Sequence, residues 1–552
     1  MSYQILYDNP NEDLFQRLLK IRDIDQDLNS FINPSFSNSW IDPYLLNDFE
    51  KAVHRIHNAI NNKEKIIIFG DYDVDWVTAS YLLYTFFTKF LGYKNISIRL
   101  PNRLEDGYWI KDYHLDRIKE LGTNLVITVD NWITSLKEAE YAKKIWLDLI
   151  ITDHHKALNE LPNAYAVVNP QISPEYWFKH IAWVGVAFKI ITAFMNKYIK
   201  SDKKKKQILA YLMPIVAIWT VSDCVPLVYE NRLFTKMWID YINKWKWIPN
   251  SLKNLLNYLN LKQEIQAFHI WFVIWPRLNA WWRIQSPYDS LNCLLCSWEK
   301  QTKHLDTLEK LNTERREIQE NNLKEIEKNI DTEEKVLIAE SSSLHEWTVG
   351  IVAGRITEKH NKPSVVITIK EQENKAVASL RGPDYFSVID MLNQAWDYME
   401  RYWWHKQAWG MTVSLDNLEK VKQIFKEYAR NTINDEDIKK TQKVDTILYS
   451  NELKNNKLKE IQKLAPFGEG NPEPVFLLDD IVFEKTEKVW KNWKSHLKIY
   501  AKKEDIRFPV LFWWKGETNW FDLNKPWKLI WKIKKDNYKW DFFVDGNDIV
   551  SE

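Results

Sequence analysis

The sequence predicts a mixed α/β protein: two α/β domains, a long helix that joins them, and a small C-terminal β-barrel. Three observations carry this. Short apolar, β-branched runs alternate with helical patterns from about residue 65 to 170, and the alternation returns from about 333 to 430. Between these blocks, residues 297–330 are highly charged, carry Leu305, Leu308, Leu311 and Ile318 at helical spacing, and contain no Gly or Pro. After about 440 the β-like runs are short, at 498–500, 509–512 and 529–530 among others, as in a small barrel.

Residues 1–50 mix Asn, Asp, Ser and Pro with short helical patches and read as an N-terminal extension packed on the first domain, which spans 51–235. A helical pattern from Asp48 to Asn61 leads into Ile66, Ile67, Ile68 and Phe69, a run typical of a buried parallel strand. Asp71, Asp73 and Asp75 follow at alternate positions, and alternate side chains of an extended segment point to one side. Carboxylates are thereby gathered at a strand's C-terminal end, where open α/β sheets bind ligands. Like charges so close call for cations, and oxygen ligands suit Mg²⁺ or Mn²⁺. Alone, the stretch reads equally well as an Asp-rich turn. Further strand-like runs follow, however, with polar ends of their own. The run 96–100 precedes Arg103; 125–129 ends in Asp130; 149–152 ends in Asp153, His154 and His155; and Asp223 sits in a later turn.

Residues 185–260 are mostly helical in pattern, interrupted by a lysine run at 201–206 that reads as a solvated loop. A helical connector occupies 236–332 and ends with the long helix. The second α/β domain spans 333–432, with clear strands at 335–339 and 364–368, and the barrel spans 433–552.

On the Asp153-His154-His155 triplet the chain resembles the DHH phosphoesterase superfamily. It is more closely similar to the RecJ family of bacterial single-strand-specific exonucleases, from about residue 40 to the C-terminus. The 466–472 loop of the barrel, with Gly468, Gly470 and Asn471, matches a recurrent loop of that family. The resemblance implies that the α/β domains are a DHH and a DHHA1 domain and that the barrel is an OB-fold. It implies that Asp73, Asp75, Asp130, His154 and Asp223 are metal ligands, with Asp130 bridging two divalent ions, Mn²⁺ or Mg²⁺. Asp71 and His155 join the catalytic set, and His155 is a candidate contact to the scissile phosphate. Asp153 would orient a histidine. Two such ions can share a hydroxide that attacks phosphorus in line without a protein nucleophile.

The same resemblance places Arg103, Arg283, Ser379 and Arg381 around the terminal phosphate of the DNA, where guanidinium forks fit phosphate oxygens. His405 and Gly410 lie in the matching motif of the second domain, with His405 toward a substrate phosphate and His345 or Arg355 as further candidates. Lys488, Lys491, Lys494 and Lys498 crowd one hairpin of the barrel, as a groove for a single strand would need, although such a hairpin is often only solvated. The implied function is a metal-dependent 5′→3′ exonuclease on single-stranded DNA, in repair and recombination. A single-strand-binding protein and a helicase are the implied partners. Two other readings remain: a DHH phosphoesterase acting on oligoribonucleotides or a cyclic dinucleotide, and a non-catalytic replication scaffold. The first typically lacks the barrel and its 466–472 loop; the second tends to lose acidic positions that are all filled here.

The totals narrow the class further. The chain has 552 residues and a formal net charge of +1, so nucleic-acid contact must come from a local groove. Three cysteines suit a reducing compartment. Cys293 and Cys296 form a lone C-x-x-C that reads as buried helix cysteines rather than a zinc site. No apolar run is long enough to span a membrane and no signal-peptide pattern opens the chain, so the expectation is a soluble cytoplasmic protein.

One total is anomalous. There are 13 glycines and 29 tryptophans, whereas an average chain of this length has about 7% glycine, roughly 39 residues. Trp76, Trp132, Trp183, Trp275, Trp347, Trp403, Trp404 and Trp493 stand where the RecJ-like pattern has glycine. The economical reading is UGA codons decoded as glycine in the source and written here as tryptophan. Trp76, Trp132 and Trp404 are then expected to crowd the cleft or to hold glycine-like backbone conformations.

Overall fold

The computed structural model describes the chain except residues 1, 25–26, 71–73, 100–111, 131, 158–159, 245–247, 262–263, 280–287, 297, 406–407, 454, 492–493, 513–524, 536–541 and 551–552. At 74–78, 288–290, 346–347, 401–405, 408, 455, 458, 490–491, 494–495, 534–535 and 542–550 it describes the backbone only. The chain forms two compact units, Met1–Gln4 with Asn312–Lys443 and Ile5–Leu311 with Val444–Glu552.

The chain opens with a short strand, β1 (Ser2–Ile5). The apolar runs after it become β2 (Ile66–Gly70), β3 (Ile96–Arg99), β4 (Leu125–Val129), β5 (Asp148–Thr152) and β6 (Ala166–Val168). They form a sheet of order β3-β2-β4-β5-β6, every pair parallel. Such strands must be apolar on both sides because helices cover both faces. Ile66, Ile68, Leu125 and Ile127 pack on one face with Ile56, Leu82 and Phe188. Ile67, Val126, Leu149 and Ile151 pack on the other with Leu115, Ile118 and Ala139.

Two expectations about the helices change. Residues 201–206 are not a loop: Ser201 caps the helix Asp202–Ser222, its side chain accepting from Lys204 N. An N-cap serine, an acid in the first turn and lysines of good helix propensity outweigh the charge run. Nor is there a separate connector from 236. Helices from Tyr229 to Leu295 share the sheet's own core through Ile239, Leu252, Leu256, Ile270 and Leu291, and the long helix Trp298–Asn329 joins it through Leu305, Leu308 and Leu311. Cys293 is buried in a helix as expected, whereas Cys296 lies just past the helix end and is half-buried.

In the other unit, β7 (Leu337–Ser341), β8 (Ser364–Lys370), β9 (Lys375–Arg381), β10 (Met399–His405) and β11 (Ala408–Ser414) form a sheet of order β10-β11-β9-β8-β7. β7 and β8 are parallel and the other pairs antiparallel. The helix Leu415–Thr432 covers one face through Leu418, Val421 and Phe425. The helix Glu346–His360 covers the other through Val352, Ala353 and Ile356, with Ile326 of the long helix. β12 (Thr441–Val444) pairs with β1.

β13 (Thr446–Ile447), β14 (Val475–Lys491), β15 (Lys494–Lys503), β16 (Ile506–Phe512), β17 (Pro526–Lys535) and β18 (Phe542–Val550) run in the order β13-β14-β15-β16-β18-β17, and β14 also pairs with β17, closing the barrel. The N-terminal extension departs from expectation here. Leu14, Leu18 and Phe31 belong to the barrel's core rather than to that of the first domain. The fully buried Arg17 donates to both oxygens of Glu452 at 2.5 and 2.6 Å and to Asp8 at 2.8 Å. Only from Phe36 onward does the segment join the core of the parallel sheet, through Phe36, Trp40 and Ile41.

Candidate metal centre

Adjacent parallel strands end side by side, so whatever follows them in sequence is brought together. β4 is followed by Asp130, whose backbone turns left-handed at φ +59° and whose N–H donates to Thr152 O at 3.0 Å. β5 is followed by Asp153, His154 and His155. Asp130 Oδ1 thereby lies 3.3 Å from His154 Nε2 and 3.5 Å from His155 Nδ1. Asp223, at the C-terminus of the helix Asp202–Ser222, brings Oδ2 to 3.9 Å from His154 Nδ1. Its position is fixed by Trp183 N, which donates to the same oxygen at 3.0 Å.

Asp153 sits beneath the group, 1% exposed. Its Oδ1 accepts from His154 N at 2.7 Å and His155 N at 3.0 Å and lies 2.8 Å from His155 Nδ1, while Oδ2 accepts from Ile133 N at 3.1 Å. With every contact directed at neighbouring backbone and one imidazole, it orients His155.

The donor set fits a hard divalent cation. Asp130, His154 and His155 each offer one ligand atom, all within 4.8 Å of one another. Asp130 Oδ1 is buried and, among the described residues, accepts no hydrogen bond of good geometry, an arrangement that a cation would satisfy. Asp75 lies in the helix Val74–Thr85, after the adjacent strand β2, with only its backbone described. Asp71, Asp73, Arg103 and Arg283 lie outside the described residues.

The electrostatics show the same crowding. Burial disfavours the imidazolium of His154, yet the carboxylates of Asp223 and Asp130 outweigh it and push its pKa up to about 10. Burial also disfavours the charged form of His155, but Asp153 and Asp130 carry it to about 9. Burial pushes Asp223 up to about 6 against the pull of His154. A ligating imidazole must be neutral, so a cation has to expel the His154 proton. We therefore expect Mn²⁺ added to metal-free protein at pH 8 to release protons, and its affinity to rise as pH climbs toward 10. Below about pH 6, protonation of Asp223 adds to the loss. Calorimetry in buffers of different ionisation enthalpy measures this; binding without proton release would remove His154 from the ligand set.

In the other unit, β9 presents Ser379 and Arg381 two residues apart, with Gly410 of β11 opposite Ser379 and residue 403 of β10 opposite Gly410. Arg381 Nη1 donates to Ser379 Oγ at 2.8 Å and Leu380 O at 2.7 Å. Burial pulls its pKa down to about 10, and no carboxylate among the described residues pairs with it, as befits an arginine that meets an anionic ligand. Gly350 was not foreseen: a Cβ there would stand 3.0 Å from Arg381 Nη2 and 3.3 Å from Ser379 Oγ. Its signal was its rarity, one of 13 glycines in the chain, in the first turns of a helix. His405 lies in β10 opposite Ala408, with only its backbone described. On the barrel hairpin, Lys488 pairs with Leu497 and Lys491 with Lys494 across β14 and β15.

Trp132 stands next but one to Asp130 with φ +88°, a conformation that L side chains rarely adopt. Its ring is buried 5.3 Å from that of Phe69, beneath the sheet and not in the cleft. Trp183 and Trp275 begin helices, and Trp275 has φ −58°, so their backbones do not call for glycine. Trp76 lies in a helix and Trp404 in β10, both with side chains not described. Trp493 lies outside the described residues. Peptide mass spectrometry of the native protein is expected to find glycine at 132; tryptophan there, or UGG codons at 76, 132, 403 and 404, would end the recoding reading.

Comparison with known proteins matches residues 65–216 to the DHH family, N-terminal domain, and residues 444–541 to the RecJ OB domain. The chain is 30% identical over 482 residues to the single-stranded-DNA-specific exonuclease RecJ of Bacillus subtilis (strain 168), covering 86% of this chain but 59% of that protein. It is 30% identical over 452 residues to the protein of the same name from Escherichia coli (strain K12), covering 78% of each. Among solved structures, RecJ in complex with Mn²⁺ from Thermus thermophilus shares the fold. The TM-score is 0.80 at 23% identity, over 98% of this chain and 76% of that one.

Proposed function

The chain belongs to the RecJ family of single-stranded-DNA-specific exonucleases, and we propose that it is itself a metal-dependent exonuclease that degrades single-stranded DNA from a 5′ end. The observation that carries this is the cluster of Asp130, His154, His155 and Asp223 beside the adjacent ends of β4 and β5. Asp130, His154 and Asp223, with Asp73 and Asp75, would hold two divalent ions, Mn²⁺ or Mg²⁺. Bound ions supply an acidified water as nucleophile and neutralise charge on the phosphoryl and leaving oxygens. Asp71 would complete the acidic set. His155, fixed by Asp153, would contact the scissile phosphate.

Arg381, Ser379, His405 and Gly410, with Arg103 and Arg283, would hold phosphates of the strand, including the terminal one. A single-strand-binding protein and a helicase are natural partners, because the substrate must first be unwound, and the cytoplasm is where such DNA is met. The proposed domains are the DHH domain at 51–235, the DHHA1 domain at 333–432 and the barrel at 433–552, with the helices up to Leu311 joined to the first of these through its single core.

The test is hydrolysis with Mn²⁺ of single and double strands labelled at either end. Mononucleotides released from the 5′ end of single strands support the proposal; cleavage confined to dinucleotides or RNA, or no cleavage, supports the other DHH activities or a scaffold. Arg381→Ala should cost on the order of 1.5–3 kcal/mol of transition-state stabilisation, the worth of a charge-assisted hydrogen bond. The loss should be greater on 5′-phosphorylated than on 5′-hydroxyl strands. Equal losses on the two would mean that Arg381 only holds the fold.

A further inference from the structure

The 466–472 loop of the barrel reaches the turn that follows Asp223. Leu227 N donates to Glu469 O at 2.8 Å. Gly470, at φ +69°, comes so close to Pro226 that a Cβ would lie 2.8 Å from Pro226 Cβ and 3.1 Å from its Cα. From its other side the turn is held by Asn231, which is fully buried. Asn231 Nδ2 donates to Pro226 O at 3.0 Å and to His180 O at 2.6 Å, and its Oδ1 accepts from Ala182 N at 2.9 Å. Ala182 directly precedes Trp183, whose N–H holds Asp223, and Ile181 O lies 3.4 Å from His154 Nδ1. One side chain therefore ties the stretch that carries Asp223 to the stretch that supports both Asp223 and His154.

The loop is itself rigidly specified. Asn471, 1% exposed, donates to Leu464 O at 2.8 Å and Pro466 O at 2.9 Å. Gly468 and Asn471 exchange backbone hydrogen bonds at 2.9 and 3.2 Å. Arg232, next to Asn231 and also fully buried, donates to Leu464 O and Ala465 O at 2.9 Å each.

We propose that the 466–472 loop and Asn231 form a positioning element for the metal centre, through which the barrel sets divalent-cation affinity as well as gripping DNA. The inference rests on the metal-centre reading above. Loss of a polar group that orients a metal ligand typically weakens metal binding about 10–100-fold, because a small displacement of one carboxylate spoils the geometry. A loop that merely fastened the barrel would affect stability alone.

The experiment titrates Mn²⁺ into the full-length protein and its Gly470→Ala and Asn231→Ser variants, reading free Mn²⁺ by electron paramagnetic resonance. Melting temperature and affinity for single-stranded DNA in chelator are measured in parallel. Both variants are expected to bind Mn²⁺ about 10–100-fold more weakly, the range for lost orienting groups, with DNA affinity in chelator unchanged. Hydrolysis should recover at high Mn²⁺. Either variant folded with wild-type Mn²⁺ affinity overturns the proposal. Should Gly470→Ala not fold, Gly468→Ala is the milder probe, its Cβ meeting the flexible Leu227 Cδ1 at 2.7 Å. A smaller shift in the same direction supports the proposal and none overturns it. Absence of Mn²⁺ binding by the wild-type protein would overturn the metal-centre reading as well.

Discussion

Asp130→Ala is expected to abolish hydrolysis while leaving the protein folded. Asp130 Oδ1 lies within 3.5 Å of both His154 and His155, and the proposed mechanism assigns it a share in holding both ions. Its removal should cost on the order of 10³-fold or more, beyond the roughly 10²–10³-fold of a single lost transition-state donor, because generation of the nucleophile is lost too. Stability should fall modestly. In the metal-free protein Asp130 is one of the carboxylates that hold the His154 and His155 imidazoliums charged, and its loss weakens both while relieving repulsion on Asp223. The metal-free variant should therefore melt somewhat below the wild-type temperature at neutral pH, and the gap should narrow as pH rises toward 10, where the His154 charge is lost. Calorimetry and a nuclease assay on one preparation check both halves; near-normal cleavage by pure, folded Asp130→Ala would sink the two-ion reading.

The largest loss of stability is expected from Glu230→Ala. Lys189 and Glu230 are both fully buried, with Lys189 Nζ 2.7 Å from Glu230 Oε1 and 2.7 Å from Ile41 O. Glu230 also accepts from Ile41 N at 2.8 Å and from the Tyr176 hydroxyl. Truncation strands an ammonium away from water and leaves two more donors without their acceptor. Breaking one side of a buried pair costs about 3–5 kcal/mol. Adding Lys189→Met should recover a large part of it, because the stranded charge then goes. Denaturant unfolding of the single and double variants measures both effects. A loss under about 1 kcal/mol for Glu230→Ala would show that water reaches the ammonium.

Four strands of the parallel sheet, the long helix and the barrel were legible in the sequence because each is written in local periodicity; the short β6 was not. Also legible was the meeting of Asp130 with His154 and His155 in the candidate site. A carboxylate or imidazole placed just past a buried parallel strand must emerge at the sheet's C-terminal edge, and Asp130 meets His154 because their strands are neighbours. The contact of Asp153 with His155 was legible too, since the two are close in sequence, whereas its bond to Ile133 N, twenty positions away, was not. Glycine-like geometry at Trp132 followed from the tight exit of β4.

Three consecutive polar residues mark what the tertiary structure alone decided. Glu230, Asn231 and Arg232 follow Tyr229 in the first turn of the helix Tyr229–Asn243, and residues of these types are mostly exposed. All three are fully buried. Glu230 anchors the N-terminal segment at Ile41, Asn231 the turns around Asp223, and Arg232 the barrel at 464–466 and Phe31 O. Several of these partners lie about 190 to 230 positions away in sequence, so no periodicity announces them. The extension's preference for the barrel was hidden in the same way, since it depends on Glu452 and Asp8 meeting a buried Arg17. Local pattern determines which side chains leave a strand end together. Which distant groups satisfy a buried charge is fixed only when the chain closes, because the need for a partner arises from burial itself.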